Sequence, residues 1–508
     1  MTLVNNSGSG LKLTNNASAT VVGGEINGHS DDAVVVNASS AKLTNLAITN
    51  NAQVAIKVES SATLDLTQVN VKDNDDQGVI VSDNSILTWT TGELSGHQGI
   101  GLDVSDSSTT ISTLTIKDND GNGIEADGSS TLTLDNLTVD DNNGHGILAD
   151  GSTTVILNGG TIENNSEDGL NLDGASAKFD TVIIQNNSGR GITLQRQASL
   201  DLEKSTIKGN RDEGLFADQA FISGSDLLVS DNNKAGVRLE QQASLLLIGG
   251  IVQNNATMGV ILNNASLNAQ ALVINTNRDV GLSAVNRSFV ILSNGRITSH
   301  GREGMISDDS SVTLNNTVVE SNGREGIRAE NRSTLTISGG TLDSNGKDGL
   351  LLARSTAQID AVSISRNGDA GITAEDGAAL ALNASTVDGN QGEGLSLSRS
   401  SVEAVNSSFS TNTGSGIQAE DRSSLVLVGN TVSDNGLDGV NLDDQDVSAT
   451  MKDNQVLGNV GCGIKVDVDG KTLIIGSGNQ VGGNGTNLCG PFPDKFATVV
   501  TVTESTDG

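Results

Sequence analysis

Apolar residues recur along this chain with a period of 22 or 23, and the repeated unit is clearest in the stretch Asn322 to Glu330 (NGREGIRAE). With Gly326 as position zero, an Asn stands four before it and apolar residues stand one and three after it, Ile327 and Ala329. Further back, positions minus 14, minus 12 and minus 7 are apolar in nearly every copy. They are Leu335, Ile337 and Leu342 before Gly349, Leu245, Leu247 and Val252 before Gly259, and Ala177, Phe179 and Ile184 before Gly191. Alternation with a period of two predicts short strands, three to a copy. None of these strands buries a face alone, but stacked copies share a continuous core. The pattern therefore predicts an all-β fold, a parallel β-solenoid of about 21 coils of 22–24 residues with a C-terminal cap.

The minus 4 column is Asn in most coils, among them Asn142, Asn165, Asn187, Asn210, Asn232 and Asn255. Asn tolerates the left-handed backbone of a sharp turn, and a stacked amide donates to one neighbour while accepting from another. An Asn ladder is expected, with His29, His97 and His300 as substitutes within it. This pattern resembles the right-handed parallel β-helix repeat family, the superfamily of pectate lyases, polygalacturonases, alginate epimerases and bacterial surface proteins. The resemblance covers about residues 3 to 484. It implies a single-stranded right-handed parallel β-helix and leaves the activity open, because that superfamily contains lyases, hydrolases, epimerases, adhesins and inert rods.

Composition narrows the partners. Asp and Glu outnumber Lys and Arg 62 to 29, for a net charge of -33. Nucleic acid and anionic membranes are thereby disfavoured, whereas cations and surfaces or glycans bridged by cations are compatible. Aromatic residues make up 2% of the chain, too few for the usual sugar-stacking platforms. The single Trp, Trp89, falls on an inward column. No apolar span is long enough for a membrane helix. Because Leu3 and Asn6 already occupy repeat columns, the chain reads as starting inside a coil, as a fragment of a secreted protein or as the neighbour of another module. Residues 1–484 form the expected repeat domain, and residues 485–508, with Pro491, Pro493 and Phe496, the expected cap or tail.

Three kinds of candidate site follow. Asp127, Asp150 and Asp173 occupy the position four after zero in consecutive coils, and Glu420, Asp443 and Asp467 repeat this later. Stacked carboxylates raise one another's pKa or recruit a cation, which makes both triplets candidate Ca²⁺ ligands. The same Asp127, Asp150 and Asp173, with His145 of a Gly-His-Gly triplet that resembles the polygalacturonase motif, form the alternative, catalytic reading. Cys462 and Cys489 lie about one coil apart, within reach of a disulfide that suits an extracellular or cell-surface setting. Lastly, Phe216, Ile261, Ile306 and Leu351, each 45 residues from the next, form an outward apolar stripe suited to surface contact.

Catalytic β-helices build clefts from long inserted loops, and coils that differ by one or two residues have no room for them. The expected function is an extracellular structural or adhesin-like β-helix. It would bind a glycan, a cell-surface or matrix ligand, or itself, end to end or laterally. The alternative is a polysaccharide lyase, hydrolase or epimerase acting on an acidic glycan. No cofactor is implied beyond possible Ca²⁺.

Overall fold

Each coil closes because its turns fall on residues that accept a left-handed backbone. In the coil that begins at Ile327, the positive-φ residues are Asn331, Arg332, Gly339, Gly340 and Ser344. Between them run the strands Ile327–Glu330 and Thr334–Asp343. In other coils the longer strand is split, as in Thr356–Asp360 and Ser363–Ser365 with Ala361 at φ +54° between them. The computed structural model describes residues 1–443, 446–466, 473–490, 492 and 500–503. Asp467, Pro491, Pro493 and Phe496 lie outside the described residues.

The chain divides into two units, Met1–Ala256 and Thr257–Gly508, and both are right-handed parallel β-helix without α-helix among the described residues. In the second unit Ile327 pairs with Leu350 and Leu350 with Ile372, all strands parallel. Leu335, Ile337 and Leu342 stack on Ala357, Ile359 and Ile364. Like residues thus sit above like residues about 4.8 Å apart, so the inward strand columns are mainly apolar and the outward ones mainly polar. The first unit repeats the arrangement, with Leu132, Leu134, Val139, Ile147 and Ala149 all buried. Trp89 is inside too, stacked between Leu66 and Ile111, where it fills the core of a locally irregular region.

The Asn ladder is present as expected. Asn345 donates from both its backbone N and its side-chain Nδ2 to Asn367 Oδ1, at 3.1 and 3.0 Å, and Nδ2 also donates to the Val319 carbonyl at 3.3 Å. Each buried turn amide thereby finds a partner one coil away, which a buried polar group requires. The ladder also explains the zero Gly. A Cβ on Gly326 would lie 2.6 Å from Asn345 Nδ2 and 2.6 Å from the Gly349 carbonyl oxygen, so close approach of successive turns, not backbone conformation, selects Gly there. Cys462 and Cys489 are joined as a disulfide, their Cα atoms 6.0 Å apart on neighbouring strands.

Candidate functional site

The acidic residues four after zero emerge at the C-terminal ends of the short strands. Asp127 and Asp150 are exposed, and Asp150 is the register partner of Asp173. Burial, then the neighbouring Asp127 and Asp173 carboxylates, push Asp150 above its ordinary value, while Arg196 opposes them. Arg196 is ion-paired with Asp173, so a cation of the chain already occupies that end of the triplet. In the second unit Glu420 accepts from Gln418, and Asp443 follows the strand Val440–Leu442. Among the described residues no group of three or more His, Cys, Asp or Glu is arranged to hold a metal ion.

His145 is not brought to these aspartates. It precedes the strand Ile147–Asp150 whereas Asp150 ends it, which separates the two by roughly 15 Å at the rise of an extended chain. Its ring instead accepts from the Asp168 N–H at Nδ1, 3.2 Å, and meets Glu167 at Nε2, 2.8 Å.

Of the four outward apolar residues, Phe216 is buried, at 8% exposure, because the Arg190 guanidinium lies 4.0 Å over its ring. A long side chain from the adjacent turn covers what the repeat pattern presents as surface. Ile261, Ile306 and Leu351 are half-buried. More exposed apolar groups stand instead on the longer strands, Phe221, Leu246 and Ile248 in the first unit and Phe289 in the second.

The most unusual chemistry lies one residue before zero, the column of His145, whose carboxylates were not among the sequence candidates. In the first unit Glu213 is buried and holds Arg190 at 3.0 Å and Arg238 at 3.7 Å, and the neighbouring Asp168 accepts from the Arg190 N–H and the Thr193 hydroxyl, both at 2.7 Å. The second unit places Glu303, Glu325 and Asp348 in three consecutive coils, at 0%, 6% and 7% exposure. Glu303 lies 3.3 Å from Arg302 and 3.4 Å from Arg324, and Glu325 lies 3.3 Å from Lys347. Asp348 accepts from the Ala370 N–H at 3.0 Å. Burial first, then the Asp369 carboxylate, raise its pKa from 3.8 to about 7; Thr373 and the Ala370 N–H pull the other way, and Glu325 adds to the rise. The sequence signal was there to read: Glu303, Glu325 and Asp348 share one column, and Arg302, Arg324 and Lys347 share the column before it.

Concavities on the described surface are open. One of about 570 Å³ lies on the longer strands of the second unit, lined by Thr334, Thr336, Gln358, Ala381, Glu403 and Val426 among others. Glu403 is the only charged residue in that lining, so the groove holds no acid–base pair.

Stacked parallel coils, an internal Asn ladder and outward columns of paired charges define a ladder-stabilised β-solenoid. The family described as right handed beta helix region matches residues 1–116, 92–224, 217–360 and 348–490. The chain belongs to this right-handed β-helix family. No protein of curated function matches it. Among solved structures, it is similar to the periplasmic alginate epimerase AlgG, at 11% identity and TM-score 0.28 over 64% of this chain and 76% of that one. It is similar also to the A-module of the Azotobacter vinelandii mannuronan C-5 epimerase AlgE4, at 13% identity and TM-score 0.26, covering 87% and 90%. A third likeness is to a chain in the cryo-EM structure of the Vag8–C1 inhibitor complex, at 12% identity and TM-score 0.29, covering 97% and 99%. Likenesses at this level are of fold and carry no argument about activity.

Proposed function

We propose that the chain is a non-catalytic, extracellular β-helix of structural or adhesin-like kind. It offers an outer face to a glycan, to a cell-surface or matrix ligand, or to a second β-helix. The observation that carries this reading is the chemistry of the open groove around Thr336 and Ala381, which has hydroxyls and small apolar groups and one carboxylate. Such a surface suits contact and supplies neither walls to exclude water nor a second group to move a proton. The Cys462–Cys489 disulfide supports an oxidising compartment. With a net charge of -33, nucleic acid is disfavoured as a partner. No helix among the described residues is long and apolar enough to cross a membrane.

The second reading, an enzyme that cleaves or epimerises an acidic glycan, draws on one observation. Asp348 and Glu325 are buried carboxyls in adjacent coils with unlike surroundings, a cation beside Glu325 and a carboxylate beside Asp348. The test is incubation of the purified chain with a panel of uronate-containing and neutral glycans, scored for new reducing ends, unsaturated products and epimer ratio. No turnover is the expected result. Turnover that disappears in Asp348→Asn, with the fold retained, would establish the enzyme in its place.

A further inference from the structure

In two successive coils of the second unit a buried carboxylate is matched with a cation of the next coil. Each carboxylate sits one residue before the zero Gly, and its partner sits two residues before the zero Gly of the next coil. Glu303 thus receives Arg324 at 3.4 Å, and Glu325 receives Lys347 at 3.3 Å. The next pair breaks the rule, because opposite Asp348 stands Asp369. The backbone at the break is unchanged: the Gly368 N–H donates to the Asn345 carbonyl at 2.8 Å, as the Gly346 N–H does to Asn322 at 2.8 Å one coil earlier.

No other group supplies the charge. Glu325, on the preceding turn, is negative toward Asp348, and its Oε2 is buried without a hydrogen-bond partner. Lys347 is directed to Glu325, and Arg328 on the preceding strand is held by Glu330 at 2.8 Å from its Nε. The following coil offers neutral donors, the Thr373 side chain and the Ala370 N–H. Among the described residues no ion pair reaches Asp348.

From this geometry we infer that Asp348 and Asp369 form a proton-binding junction, in which a proton on Asp348 takes the place that Arg324 and Lys347 fill in the preceding coils. Hydronium from solvent gives the proton to a carboxylate oxygen, one O–H bond breaking as the other forms, and leaves as water. With the proton bound, one negative charge is removed and the turns at 344–349 and 366–371 stack as their neighbours do. When it leaves, a buried carboxylate at Asp348 faces the exposed Asp369 carboxylate of the next coil with no cation between them, and this junction loosens. The group's ordinary pKa is 3.8 and its folded value about 7, so the contribution to stability is whole below pH 3.8 and is lost as pH rises through about 7.

The test uses the full chain and two variants. Asp369→Lys supplies the missing cation in the manner of Lys347, and Asp348→Asn removes the titrating group while keeping an acceptor for the Ala370 N–H. Hydrogen exchange is followed on peptides covering 344–371 and, as a reference in the other unit, 130–150, from about pH 5.5 to about pH 8.5, which spans the titration. After correction for the intrinsic rate, protection of 344–371 in the wild type falls roughly tenfold or more across that range, one pKa unit being worth a factor of ten. Protection of 130–150 does not follow it, and both variants hold 344–371 constant. A flat wild-type profile overturns the inference, and so does an Asp369→Lys profile with the wild-type slope. Should Asp348→Asn lose protection in both regions, the Asp369→Lys comparison decides alone.

Discussion

Replacing His300 with Asn restores the ladder residue, and the structure fixes where the effect appears. The ring of His300 is 3% exposed and copies the amide it displaces. Nδ1 accepts from the Asn277 N–H at 3.2 Å, Nε2 lies 3.1 Å from the Ile274 carbonyl, and the His300 N–H donates to Asn322 Oδ1 at 3.1 Å. Only the neutral tautomer with its proton on Nε2 satisfies this set, because a proton on Nδ1 would face the Asn277 N–H. Burial, the dominant cause, lowers the His300 pKa from 6.5 to about 4, against the opposing hydrogen bonds to Ile274 and Asn277. For a base with a depressed folded pKa, the unfolded chain binds more protons between pH 4 and pH 6.5, so stability falls as pH drops through that window. The shift of about 2.5 units corresponds to roughly 3 kcal/mol. His300→Asn should therefore differ little from wild type near pH 7.5 and gain roughly 3 kcal/mol on it near pH 4. Denaturant unfolding of both proteins at the two pH values, with hydrogen exchange on residues 270–325 as the local readout, measures it. A gain of equal size at both pH values would refute the reasoning, for it would mean that the imidazole's shape and not its proton sets the cost.

Two further outcomes test other parts of the structure. Asn367→Ala removes the acceptor of the Asn345 N–H at 3.1 Å and one of the two acceptors of its Nδ2, which keeps the Val319 carbonyl, so one buried donor is stranded and denaturant unfolding should report a loss of roughly 1–3 kcal/mol. Asn367→His should lose less, since His300 already serves in that column. Thermal unfolding with added Ca²⁺ and with chelator should give the same midpoint, because Arg196 neutralises Asp173 and the described carboxylates form no metal-holding group. A rise of several degrees with Ca²⁺ would restore Asp127, Asp150 and Asp173 as cation ligands.

Columns whose meaning depends on one position were legible before any coordinates existed. Leu335, Ile337 and Leu342 are inward because the period says so, and Asn345 is a ladder residue because Asn recurs every coil. Meanings that depend on two columns at once were hidden. Phe216 is outward by period and buried in fact, because Arg190 from the preceding coil folds over it. Asp348 looks like an ordinary loop acid until Lys347 and Asp369 are seen to be successive members of the column that faces it. A repeat reports burial through its inward columns, but side chains long enough to cross between outward columns obey pairing rules that single-column reading does not contain.

The same regularity turns the molecule into its own control. Glu303 with Arg324, Glu325 with Lys347 and Asp348 with Asp369 occupy equivalent places on equivalent backbone, so the main difference among them is the sign of the partner in the next coil, beside the extra Arg302 at Glu303 and the shorter side chain of Asp348. In most proteins a buried carboxyl's pKa mixes burial with charge in proportions that cannot be separated. Here burial is held nearly constant at 0%, 6% and 7% exposure while the partner changes from cation to anion. Asp369→Lys should therefore bring Asp348 down toward the ordinary carboxylate range, and Lys347→Asp should give its own junction a pH-dependent protection from exchange. If Lys347→Asp leaves the pH profile of its own junction unchanged, the partner column is not what sets these groups, and burial alone must account for Asp348.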